Sequence, residues 1–141
     1  MRKSSPLGAG REQQTHMPKP QVLVVDDDPR YLELLKFALE SEGFGVVVSR
    51  DPRNVQALAV SCQPAAIISD VSMPEMDGFD VTANLRADPR TANIPVLFLT
   101  ARSTDGDRLE GLRSGAVEYI TKPFSPSVLA EKVRAVMKEA S

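Results

Sequence analysis

The sequence predicts an α/β fold: a five-stranded parallel sheet in the order 2-1-3-4-5, flavodoxin-like and doubly wound as (βα)5. Three observations predict it. Apolar runs of strand length alternate strictly with stretches of helical periodicity, five of each. Val22-Leu23-Val24-Val25 and Ile67-Ile68-Ser69-Asp70 are continuous rather than alternating, as strands buried on both faces are. Both runs end in acid, at Asp26-Asp27-Asp28 and at Asp70, and a turn with Pro74 and Asp77-Gly78 follows the second. In open α/β sheets the carboxyl edge of the strands carries the chemistry.

The chain has 141 residues, 42% hydrophobic and 26% charged, which suits one soluble domain with an adequate core. A net charge of −2 argues against a primary nucleic-acid binder. Cys62 is the single cysteine, which rules out an internal disulfide and fits a reducing compartment, the cytoplasm. No apolar run approaches the roughly 20 residues of a membrane span.

Residues 1–20 hold Ser4, Ser5, Pro6, Gly8, Gly10, Pro18 and Pro20 and almost nothing apolar. They cannot bury enough surface to offset their ordering entropy, so the sequence predicts a disordered tail ahead of one domain over 21–141. The tail carries Arg2, Lys3, Arg11 and Lys19 against Glu12, a net +3, and leaves −5 on the rest. It has no hydrophobic core of the kind a signal peptide needs. His16, the only histidine, lies in it, which argues against histidine-based catalysis.

After the first strand, Tyr31, Leu34, Leu35 and Ala38 recur at helical spacing and predict one core-facing stripe, with Phe37 off it and exposed. Asp28 and Pro29 read as cap and first helical residue, and Gly43 as the stop. Val46-Val47-Val48 is the second strand, and Val55, Leu58, Ala59 and Cys62 mark a second helix closed by Pro64. The third strand runs from Ala65 to Asp70. Phe79, Val81, Ala83 and Leu85 sit on a third helix ending near Asp88-Pro89. Ile94 to Leu99 is the fourth strand, ending in Thr100-Ala101. A weak helix containing Gly106 and Gly111 follows. Val117 to Thr121 is a short fifth strand before Lys122-Pro123. Ser125 caps a last helix that Pro126 opens, with Leu129, Val133, Val136 and Met137 inward.

In the predicted strand order, strands 1 and 3 are neighbours at the switch point. Asp26, Asp27 and Asp70 then share one crevice, with Thr100 and Lys122 arriving from strands 4 and 5. Adjacent carboxylates repel unless a cation sits among them, and oxygen ligands select a hard divalent ion, Mg²⁺ above all. Asp70 also offers an oxygen nucleophile able to form an aspartyl phosphate. Lys122, the Thr100 hydroxyl and the Ala101 backbone N–H could each serve a phosphoryl oxygen.

These motifs resemble the receiver domain of bacterial two-component response regulators, in the single-domain form of the chemotaxis regulators. The matches are Val-Val-Asp-Asp-Asp at 24–28, Asp70 with Met73-Pro74 and Asp77-Gly78 behind it, Leu-Thr-Ala at 99–101, and Lys122-Pro123-Phe124. They cover Gln21 to about Ala140. The resemblance implies that Asp70 accepts a phosphoryl group from a histidine kinase or histidine phosphotransfer protein. It implies Mg²⁺ on Asp27, Asp70 and the Ser72 carbonyl, with Asp26 acting through water. Lys122, Thr100 and Ala101 would bind the phosphoryl group. Thr100 and Tyr119 would form the switch, presenting the surface of the fourth helix, fifth strand and last helix to a partner. Ser72 and Arg102 would tune phosphoryl lifetime, and slow self-dephosphorylation would be the only turnover. No direct nucleic-acid or membrane partner is implied, and a phosphorylation-dependent homodimer is left open.

Three rivals share features of this reading. A haloacid-dehalogenase-type phosphatase also forms an aspartyl phosphate, but it wants a second acid where Ser72 stands. A flavodoxin-like flavin carrier would need a phosphate cradle where Asp26-Asp27-Asp28 would repel one. A phosphorylation-independent interaction module would have lost the acids or the lysine, and none is lost.

Overall fold

The structure is a computed structural model that describes residues 19–71, 73, 76–100, 115 and 118–140. In chain order it contains β1 (Gln21–Val25), α1 (Pro29–Ser41), β2 (Gly45–Ser49), a 3-10 turn (Pro52–Asn54) and α2 (Val55–Cys62). Then come β3 (Ala66–Asp70), α3 (Gly78–Ala87), β4 (Val96–Thr100), β5 (Glu118–Thr121) and α4 (Pro126–Ala140). The expected tail through residue 18 and the expected helix with Gly106 and Gly111 lie outside the described residues.

All strand pairs are parallel and the order is β2-β1-β3-β4-β5, as the sequence predicts. The sheet separates two apolar cores. Alternate strand residues Val22, Val24, Ile68, Leu97 and Leu99 pack with Leu35, Leu39, Leu129 and Val133 of α1 and α4. Their neighbours Leu23, Val25, Ile67, Val96 and Phe98 pack with Val55, Ala59, Val81 and Leu85 of α2 and α3. Burial on both faces is why the central strands are continuously apolar.

Helix α1 departs from the predicted stripe. Leu32, Leu35, Ala38 and Leu39 are buried, Tyr31 is half-buried, and Leu34 is 56% exposed. Leu32 and Leu39 complete a wider apolar arc that turns Leu34 outward and leaves Tyr31 at its margin. Phe37 is 75% exposed, as its position off the stripe predicts. The cap is as read: Asp28 accepts a hydrogen bond from the Arg30 N–H, and Pro29 opens the helix. Helix α2 ends at Cys62, two residues before Pro64, because Gln63 adopts a left-handed conformation (φ 45°). Its side-chain amide donates to the Ala59 and Val60 carbonyls, satisfying groups that a helix end leaves orphaned.

Two further devices fix turns and junctions between elements. Asp-Pro-Arg occurs at 28–30, 51–53 and 88–90, and each time the Asp accepts the Arg N–H at 2.9 Å. The guanidinium closes a fork on the same carboxylate at 3.1, 2.8 and 2.8 Å respectively. Arg86, half-buried on α3, donates to the carbonyls of Ala92, Ile94 and Gly115, linking α3 to the turns before β4 and β5. Burial lowers its pKa. Among the described residues no helix is long and apolar enough to cross a membrane.

Candidate functional site

Strand register assembles the site. Val25 pairs with Ser69, so Asp26, one residue on, lies beside Asp70 at the end of β3. Asp70 pairs with Leu99 and Thr100 with Thr121, which puts Lys122 just beyond Thr100. The Lys122 N–H donates to the Thr100 carbonyl at 2.8 Å, and the Lys122–Pro123 peptide is cis.

Carboxylate oxygens of Asp26, Asp27 and Asp70 all lie within 4.8 Å of one another. Asp26 is 1% exposed and Asp70 8%. Burial pushes the Asp26 carboxyl above its ordinary value, against the opposing pull of the Asp28 N–H and of Lys122. Lys122 Nζ stands 3.4 Å from Asp26 Oδ2 and 3.6 Å from Asp70 Oδ2. It also lies 4.0 Å from the centroid of the Tyr31 ring. Thr100 is buried at the end of β4. Tyr119 is half-buried on β5, edge-on to Phe98 at 5.8 Å, and Phe98 is in turn edge-on to Phe79 at 5.2 Å. Ser72, Ala101 and Arg102 lie outside the described residues.

The donor set consists of oxygens only, carries three carboxyl groups and has one ammonium beside it. It fits a hard divalent cation such as Mg²⁺, which would relieve both the mutual repulsion and the burial of Asp26.

Two residues take roles at the site that sequence reasoning did not give them. Gly78, read as a turn residue, opens α3 directly behind the site. A Cβ there would stand 2.7 Å from the Asp70 carbonyl oxygen and 3.1 Å from the Phe98 ring, so only glycine lets the two segments approach. Tyr31, read as part of the core stripe, instead covers Lys122. An aromatic residue in the first helical turn after an acid triplet was the available signal.

A doubly wound sheet with three acids, a lysine and a threonine at its carboxyl edge defines a class of phosphoryl-accepting α/β domains. Residues 22–134 match the response regulator receiver domain, and the chain belongs to that family. It is a receiver domain of two-component signalling. It is 44% identical over 119 residues to the DNA-binding dual master transcriptional regulator RpaA of Synechocystis, covering 84% of this chain and 49% of RpaA. The chain thus spans about half the length of that relative. Among solved structures it resembles chemotaxis protein CheY4 of Vibrio cholerae, with TM-score 0.81, 31% identity and coverage of 84% and 99%. It also resembles the receiver domain of sensor histidine kinase PA1611 of Pseudomonas aeruginosa, solved with a magnesium ion in its active-site cleft. There the TM-score is 0.79 and the identity 27%, with 86% and 99% of the two chains covered.

Proposed function

We propose that Asp70 is the phosphoacceptor of this receiver domain. The observation that carries the assignment is the placement of the Lys122 ammonium 3.6 Å from Asp70 Oδ2 within the acid triad. An Asp70 carboxylate oxygen attacks phosphorus in line. The new O–P bond forms as the bond from phosphorus to the donor breaks, and the donor leaves with the electron pair. Lys122 neutralises charge on one phosphoryl oxygen, and the Thr100 hydroxyl donates to another, joined by the Ala101 N–H. Asp27, Asp70 and the Ser72 carbonyl would hold Mg²⁺, with Asp26 acting through water; the acid cluster supports this, and the similar PA1611 receiver carries a magnesium ion in its active-site cleft. When bound, the ion would supply charge neutralisation at the transferring group.

The phosphoryl donor is a histidine kinase or histidine phosphotransfer protein, the partners of receiver domains generally. Exposed Leu34 and Phe37 on α1 offer that partner an apolar contact. Thr100 and Tyr119 form the switch: a phosphoryl group on Asp70 draws the Thr100 hydroxyl and opens space for Tyr119, now edge-on to Phe98, to pack inward, biasing a two-state equilibrium. Ser72 and Arg102 set phosphoryl lifetime. The domain starts at Gln21, where β1 starts, behind a tail over 1–20. It works in the cytoplasm and turns over no substrate beyond its own phosphoryl group.

The test is intact mass after incubation with Mg²⁺ and a small acyl phosphate. One phosphoryl adduct on the wild type, and none on Asp70→Asn or with a chelator present, is expected. An adduct that forms equally well with chelator, or on Asp70→Asn, would refute the assignment.

A further inference from the structure

We infer that Tyr31 is a positioning residue for phosphoryl transfer, holding the Lys122 ammonium over the crevice with the face of its ring. The inference rests on Asp70 as the phosphoacceptor and deepens that reading.

Lys122 reaches the crevice from beyond the end of β5, on a flexible four-carbon stem that does not by itself fix the ammonium. Its Nζ meets three partners: Asp26 Oδ2 at 3.4 Å, Asp70 Oδ2 at 3.6 Å and the Tyr31 ring centroid at 4.0 Å. The side chain is 14% exposed, so the ammonium has given up most of its water. A cation–π contact is strongest where the cation is desolvated. Tyr31 is itself held in place. It stands in the first turn of α1, fixed by the Asp28 cap and Pro29, and its ring packs on Phe124 with centroids 6.4 Å apart. Phe124 follows Lys122 by two residues, so the ring touches both ends of the Lys122–Phe124 turn.

The carboxylates are not dedicated to the lysine. Asp26 and Asp70 also belong to the carboxylate set that would hold a divalent cation, and Asp70 is the group proposed to react. The ring face is engaged by neither. It therefore keeps the ammonium in place while the carboxylates change partners. A ring that merely filled space at the margin of the core would be replaceable by any apolar side chain of similar reach.

The experiment compares wild type, Tyr31→Phe, Tyr31→Leu and Asp70→Asn, each checked for a folded amide spectrum. Two quantities are read: the proton shift of the Lys122 ε-methylene, and the initial rate of adduct formation from acyl phosphate with Mg²⁺. In wild type and Tyr31→Phe the ε-methylene should lie upfield of the ordinary lysine position, under the ring, with rates within about twofold of each other. In Tyr31→Leu the shift should relax and the rate should fall about threefold to tenfold. Tyr31→Leu matching wild type in both would overturn the inference, and so would Tyr31→Phe slowed as much as Tyr31→Leu, which would assign the effect to the hydroxyl. If wild type took no adduct, the Asp70 reading would fall, and the ring-current shift would still decide whether Tyr31 holds Lys122.

Discussion

Asp26→Asn should raise the melting temperature of the metal-free protein and reduce the gain from adding Mg²⁺. Asp26 is 1% exposed, and its carboxylate shares a region within 4.8 Å with those of Asp27 and Asp70, with Lys122 3.4 Å away. At an effective dielectric of about 20, each like-charge pair at that separation repels by about 3.5 kcal/mol, and the Lys122 attraction is worth about 5 kcal/mol. Two repulsions against one attraction leave about 2 kcal/mol in favour of the neutral side chain, and burial of Asp26 acts in the same direction. Loss of the Lys122 hydrogen bond takes back about 1 kcal/mol. A net gain of about 1 kcal/mol corresponds to roughly 3–5 °C in a domain of this size.

The sign agrees with the pKa of Asp26, which burial raises above 3.8. A raised carboxyl weakens the fold while ionised, and the penalty relaxes as the pH falls through the raised value. With Mg²⁺ about 100-fold above its dissociation constant the wild type gains about 2.7 kcal/mol. The variant faces the ion with one carboxylate fewer and gains less at the same concentration. Thermal melts followed by circular dichroism, with chelator and across a Mg²⁺ titration, measure both effects. Equal or lower melting in chelator together with an undiminished metal response would show that these carboxylates do not act as a cluster.

Three further outcomes are expected. Gly78→Ala places a methyl 2.7 Å from the Asp70 carbonyl oxygen and should cost about 1–3 kcal/mol, read as a lower urea midpoint; an unchanged midpoint would mean that the α3 junction yields freely. Phe37→Ala should slow phosphoryl transfer from a cognate histidine kinase and leave transfer from acyl phosphate unchanged, since the ring is 75% exposed; equal slowing from both donors would point to damage to the fold. Asp88 is held down to about 2, chiefly by its side-chain hydrogen bond to Arg90, so its stabilising contribution is present above 3.8 and lost as the pH falls toward 2. Arg90→Ala should therefore lose less stability than wild type across that acid window in a pH series of melts, and parallel losses would exclude the pair as a contributor.

The strand order and the acid cluster were legible because they depend on pattern. Val22–Val25 and Ala66–Ile68 are apolar at every position, as strands with helices on both faces are, and strict strand–helix alternation narrows the strand order to a few doubly wound choices. The caps at Asp28 and Ser125 were legible because capping is local chemistry. Less legible were features set by tertiary competition. Spacing alone could not choose between two apolar stripes on α1, and the structure buries Leu32 and Leu39 where Leu34 was expected. Gly78 and Tyr31 act across the fold, through contacts with Asp70 and Lys122 that have no counterpart in sequence spacing. Arg86 has no signal in the local pattern, since its partners are three backbone carbonyls from two turns.

The sheet acts as a partition between two interiors that share no side chain. The acid crevice stands at the rim of that partition, where both interiors come to an end. Lys122 leans toward Tyr31 and Phe124, which pack against the α1 and α4 interior. Tyr119, three residues earlier, belongs to the other interior, through Phe98 and Phe79. If Asp70 takes the phosphoryl group as proposed, one covalent event at the rim would bear on two compartments that are packed separately.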